Sequence, residues 1–145
     1  MAAVITLKHE IRCVIGNEEK VMQHGTVIPT IALADDNFMD RPTTITAAAT
    51  VTLWDAAAVG SPTSFTFFYF LTNVACDVEF TANNGHASET IFTLRAAPGV
   101  PIVLGADDSY YGNTGLAGTL DVIDLVRAKN ASSTDDATVR YAVAS

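Results

Sequence analysis

Three histidines, two cysteines and a run of aspartates are the side chains of this chain with reactive potential, and none stands in the pattern a reaction requires. His9 falls on the apolar face of an alternating segment, the setting of a satisfied core or interface imidazole. His86 sits in a turn beside Gly85, and His24 lies in a second alternating segment; none has a partner near it in sequence. A Ser-His-Asp set can assemble across a chain, but there is no nucleophile-elbow sequence and no carboxylate pair in a predicted cleft, so no enzyme is expected. The segment ADDNFMDRP, residues 34–42, brings Asp35, Asp36 and Asp40 together and raises calcium. That ion takes about six to eight oxygens at set positions, and the run lacks the acidic spacing, the glycine and the distal Glu of a calcium loop. It reads as a solvated loop, and no metal or cofactor is expected. Cys13 and Cys76 lack metal-ligand spacing and fall on apolar strand faces, which favours two small buried thiols over a disulfide.

Aromatic side chains are the other chemical resource. Trp54 ends an alternating segment, where packing at a sheet end is the commoner use of an indole than stacking on a sugar. Tyr110 and Tyr111 stand in the polar, Gly-rich segment ADDSYYGNTGLAG (106–118) and are the candidate partner contacts, although an exposed turn carries tyrosines without function just as readily. Asn130-Ala131-Ser132 fits a glycosylation sequon by chance, there being no signal peptide beside it.

The elements that must position these groups are strands. Ser64 to Phe80, SFTFFYFLTNVACDVEF, is the most apolar stretch and reads as a central hairpin. Phe65, Phe67, Tyr69 and Leu71 make one large apolar face of its first strand, and Phe68 and Phe70 make the other apolar in the middle. A strand apolar on both sides needs cover on both: a second sheet on one, a chain arm or another subunit on the other. Phe68 and Phe70 are the candidate subunit interface. Val74, Cys76, Val78 and Phe80 then alternate with Asp77 and Glu79, as in a strand wet on one side.

Around this centre the chain alternates almost throughout. Val4 to Ile15 is a long strand; Lys20 to Ile28 returns as a second, with a bend expected at Gly25. Thr43 to Asp55 sets Ile45, Ala47, Ala49, Val51 and Leu53 against threonines. Asn83-Asn84-Gly85 signals a hairpin turn into a strand at Glu89 to Arg95, and Pro98 and Pro101 confine Val100 to Leu104 to an edge. Thr119 to Asn130 carries both helical spacing and a β-branched run, and strand is favoured; Val139, Tyr141 and Val143 tie the C-terminus into the sheet. The total is about eight or nine short strands with turns every ten or so residues. The fold class is all-β: a single-domain antiparallel β-sandwich over 1–145, jelly-roll-like, with residues 1–42 a hairpin and loop able to act as an arm and 43–145 the core.

Composition sets the outer limits. The chain is 49% hydrophobic and only 17% charged, which favours strands and subunit contacts. With eight scattered basic residues against sixteen acidic ones, a net charge of −8, nucleic-acid binding is not expected. No segment reaches the roughly 20 apolar residues of a membrane span, and no leader is evident, so synthesis in the cytoplasm and no membrane partner are expected.

From about Val51 on, the order of features resembles small virion proteins of tailed bacteriophages, particularly capsid decoration, or cement, proteins built as compact β-sandwiches. The residues that carry the resemblance are VTLWDAAAVGSPTSFTFFYFLTNVACDVEFTANN, from Val51, and the closing run VIDLVRAKNASSTDDATVRYAVAS, from Val122. The resemblance implies a structural protein that is synthesised in a host cytoplasm and located on the virion surface. Its partner would be the major capsid protein, which it would bridge to brace the shell as a homo-oligomer, a trimer being favoured. A tail or head-fibre base subunit is the alternative within that class. A carbohydrate-binding or adhesin-like sandwich using Trp54, Tyr110 and Tyr111 is the alternative outside it.

Overall fold

Apolar and polar residues alternate along most of the chain, and in the computed structural model that alternation becomes twelve strands among the described residues. The structure describes residues 38–63, 65–105 and 123–144, with the strands at 4–6, 10–15, 18–23 and 30–32. In chain order these are β1 (Val4–Thr6), β2 (Glu10–Ile15), β3 (Glu18–Gln23), β4 (Thr30–Ala32), β5 (Phe38–Ile45) and β6 (Thr50–Asp55). They continue as β7 (Phe67–Thr72), β8 (Cys76–Ala82), β9 (Thr90–Ala96), β10 (Ile102–Gly105), β11 (Ile123–Asn130) and β12 (Ala137–Ala144). The last eight form two four-stranded antiparallel sheets, ordered β10-β7-β12-β5 and β6-β11-β8-β9. Every connection from β5 to β12 except β8 to β9 crosses from one sheet to the other. This is the paired Greek-key winding of a jelly roll, and the expected all-β sandwich is what forms.

That winding corrects three local expectations. Residues 64–80 do not make a hairpin: β7 lies in the first sheet and β8 in the second, and residues 73–75 turn the corner between them. Phe68 and Phe70 of β7 and Val78 and Phe80 of β8 are two bulky sets that bury each other only from opposite layers. Thr72 holds the corner, its hydroxyl donating to the Val74 carbonyl at 2.7 Å and accepting from the Val74 amide at 3.2 Å. Second, the alternation across 43–55 is two strands in different sheets. The break comes at a turn in which Ala48 adopts φ 60° and Ala49 donates to Thr46 O at 3.0 Å. Third, residues 38–42 are strand and not loop, so the sandwich begins five residues before the expected boundary at 43. Pro42 within β5 breaks no ladder because β5 is an edge strand.

Between the sheets, Trp54, Phe65, Phe68, Phe70 and Phe80 form a continuous aromatic core with Ile45, Val78, Val126, Val139 and Val143. Phe68 meets Phe80 edge-on, with ring centroids 5.1 Å apart at 84°, and Phe80 stacks on Phe92 at 4.9 Å. One end is laced by Asn130, whose amide nitrogen donates to the carbonyls of Ile45 (3.0 Å) and Asp135 (2.8 Å) while its oxygen accepts from the Ser132 amide (2.9 Å). Asn130 is fully buried, which closes the sequon to modification in the folded chain.

β1 pairs antiparallel with β4, and β2 with β3, as a ribbon that joins neither four-stranded sheet. The bend expected at Gly25 falls within 24–29, outside the described residues.

Candidate functional site

Strand pairing decides what the second sheet shows to solvent. On its outer face Lys129, Asp77 and Arg95 form one cross-strand row, and Arg127, Glu79 and Thr93 form the next. Arg95 Nη1 reaches Asp77 Oδ1 at 2.6 Å, and the Arg127 guanidinium grips Glu79, with Nε 2.9 Å from Oε1. With Thr50, all of these side chains but Arg95 line a shallow depression of about 360 Å³. Opposite charges sit in register across three strands, the most favourable arrangement for such pairs on a sheet. One step along, Thr81 lies between Ile91 and Leu125 on the same face; it is 2% exposed and its hydroxyl has no hydrogen-bond partner among the described residues.

The outer face of the first sheet differs. Phe67, Ala142 and Ala144 are buried there within the single chain, apart from the inter-sheet core. Towards the corner turns, Pro42, Leu71, Pro98 and Gly99 border an open apolar shelf of about 600 Å³. At its rim Arg140 pairs with Asp40, Nη2 to Oδ2 at 2.7 Å, and the hydrogen bonds from that guanidinium hold the Asp40 carboxyl below its ordinary value.

The residues singled out by sequence are mostly not brought together. Phe68 and Phe70, expected at a subunit interface, are both 0% exposed and face the opposite sheet of their own chain. They occupy the face of β7 that the second sheet covers, so they serve the core. Trp54 is 1% exposed and its indole N–H donates to the Pro62 carbonyl at 3.0 Å, which leaves no ring face for a sugar. Cys76 is a buried free thiol, as expected; burial raises its pKa, and Sγ lies 3.4 Å from the Val74 carbonyl. His86 is exposed in the turn after β8. Tyr110, Tyr111, His9, His24, Asp35, Asp36 and the Cys13 side chain lie outside the described residues. The paired charges were half visible in sequence: alternation turned Asp77 and Glu79 outward, but nothing local says that Arg95 and Arg127 stand across from them.

The strand order and the two paired layers define a jelly-roll β-sandwich. No protein-family model matches the chain, and no curated protein matches it. Among solved structures it is similar to the cupin domain of Drosophila melanogaster CENP-C, at 12% identity, covering 94% of this chain and 75% of that one with a TM-score of 0.37. It is also similar to Drosophila CENP-C bound to CAL1, at 11% identity, 94% and 76% coverage and a TM-score of 0.38. The Schizosaccharomyces pombe Cnp3 cupin domain matches at 11% identity, 97% and 83% coverage and a TM-score of 0.41. At these identities the likeness is one of fold. The expectation of a capsid decoration protein is corrected on this finding, because the chains matched here are centromere-protein cupin domains and not decoration proteins. The burial of Trp54 removes one of the three stacking residues of the sugar-binding alternative, and the other two, Tyr110 and Tyr111, lie outside the described residues.

Proposed function

We propose that this chain is a non-catalytic structural subunit that works through protein–protein contact on the outside of its sandwich and associates with copies of itself. The supporting observation is where its polar chemistry lies. The inter-sheet space is filled by rings in mutual contact, while Asp77, Glu79, Arg95, Arg127 and Lys129 stand on the outer face of the second sheet, where the depression is shallow and open to solvent. A broad face of matched charges suits another protein surface better than a small substrate, which needs a concave pocket. A setting in a virus particle is proposed from the sequence resemblance alone. The second apolar face of the strand at 66–71 is the sequence's reason for a further subunit beside it. With Phe68 and Phe70 inside and Phe67 4% exposed in a single chain, that reason is weakened, and self-association is proposed without a subunit number. Sedimentation equilibrium over a wide concentration range tests it: a mass above 15.3 kDa that grows with concentration is expected, and a monomer throughout overturns the proposal.

A further inference from the structure

Four strands end the two sheets, and three carry a feature that blocks pairing with another chain. β5 contains Pro42; β10 is only four residues long and follows Pro101; β6 is kinked by a register shift opposite Val126 and Arg127. Short strands, prolines and bulges are the devices by which sandwiches protect exposed edges. β9 has none of them. It runs seven residues, Thr90-Ile-Phe-Thr-Leu-Arg-Ala96, in unbroken register with β8, and no strand among the described residues pairs with its other side. Its side chains also leave the core unfinished. Phe92 and Leu94 face inward yet are only half-buried, and Ile91 is 48% exposed.

We propose that β9 is the self-association edge, pairing antiparallel with β9 of a second copy about a two-fold axis at Thr93, so that two four-stranded sheets become one of eight. This deepens the self-association proposed above and rests on it. The occupant follows from the sequence of the strand, which is complementary to itself read backwards. About Thr93, each Phe92 faces the partner's Leu94 on the core side, so the two half-buried residues complete each other's burial. On the solvent side Thr93 faces its own copy, a favourable hydroxyl pair, and each Ile91 lies under the aliphatic stem of the partner's Arg95. No like charges meet. The strand's one charged residue, Arg95, is bound to Asp77 of its own chain, and the two Arg95 side chains would stand about 14 Å apart, four residues along the strands. On a chain of net charge −8, an edge whose single charge is already matched adds little to the repulsion between two copies.

Thr93 is exposed, so substitutions there test the axis without touching the core. Thr93→Lys and Thr93→Glu each place like charges directly opposite one another. Each is expected to weaken self-association at least tenfold with an unchanged thermal unfolding midpoint, and an equimolar mixture of the two is expected to restore it. A wild-type oligomer that neither substitution weakens overturns the β9 pairing while leaving self-association standing; a wild-type monomer overturns both. Should the charged variants fail to fold, Thr93→Cys on a Cys13→Ser background, treated with a short bis-maleimide, reads the same geometry. A cross-linked dimer is expected, and its absence overturns the axis.

Discussion

Four buried side chains show how differently one hydroxyl, amide or thiol can weigh on this fold. Asn130 uses its amide donor twice and its acceptor once inside the sandwich, so Asn130→Ala strands the Ile45 carbonyl and the Ser132 amide together. A loss of about 3 kcal/mol is expected from two unsatisfied buried groups, read as a lower urea midpoint at constant slope. Thr81 is the opposite case. Its hydroxyl is buried without a partner, and Thr81→Val keeps the shape while removing the desolvated group, so a gain of about 1 kcal/mol is expected in the same measurement. Cys76 and Tyr141 act through pH. Burial raises both above their ordinary values of 9.0 and 10.0, so the unfolded chain releases these protons first as the pH climbs. Over that interval the folded state binds more protons than the unfolded one, and stability falls with rising pH. Denaturation midpoints are therefore expected to be flat up to about pH 8 and to decline above about pH 9. The double variant Cys76→Ala, Tyr141→Phe is expected to flatten that decline, and an unchanged slope would assign it to other groups.

Elements were easier to read from the sequence than their partners. Alternation placed β9 and β12 within a few residues, because a strand wet on one face writes its period directly into the chain. The ambiguous run before Asn130 resolved as strand β11, whose Val126 and Ala128 are fully buried between β6 and β8. Where the reading failed, the reason was that period two carries no information about which strand lies alongside. Both strands of 67–82 were legible, but whether they lie beside each other or across the core depends on Thr72 closing a three-residue corner. The alternation across 43–55 survives a change of sheet because Ala48 takes a positive φ without breaking the in-out order. The interface residues were misplaced for the same reason: Phe68 and Phe70 look surplus only while β8 is imagined beside them. The unguarded edge at β9 was legible only after the neighbours were known. The N-terminal ribbon gives this scale its prediction. Since among the described residues β1 to β4 pair only with one another, a chain beginning at residue 34 is expected to keep the sandwich's cooperative unfolding, checked by circular dichroism during a thermal ramp. A collapse of that transition would make the ribbon part of the core.

At the scale of the molecule, the winding makes the last strand indispensable. β12 is an interior strand of the first sheet, flanked by β7 in register from Val139 to Ala144 and by β5 along its whole length. It carries Val139, Tyr141 and Val143 into the core, and its partners in β5 lie about a hundred residues earlier, as the Arg140 to Asp40 bridge shows. β11 stands in the same relation to β6 and β8 in the other sheet. Neither sheet can therefore close until almost the entire chain is present, and the entropy of those long loops must be met before the contacts that repay it exist. Folding is expected to be slow for the chain's size, in the millisecond-to-second range or beyond, with long-range pairing as the limiting step. Truncation separates this from a fold that grows strand by strand. A chain ending at residue 136 keeps seven of the eight sandwich strands and all of the second sheet. If the sheets were independent, it would retain a cooperative transition. Because β12 bridges β5 and β7 and supplies one wall of the aromatic core, the expected result is loss of the near-ultraviolet signal of Trp54 and no sigmoidal unfolding in urea. Adding a synthetic peptide of residues 137–145 in excess is then expected to restore both. A truncated chain that keeps both without the peptide would show that the first sheet tolerates the gap and that closure does not depend on its last strand.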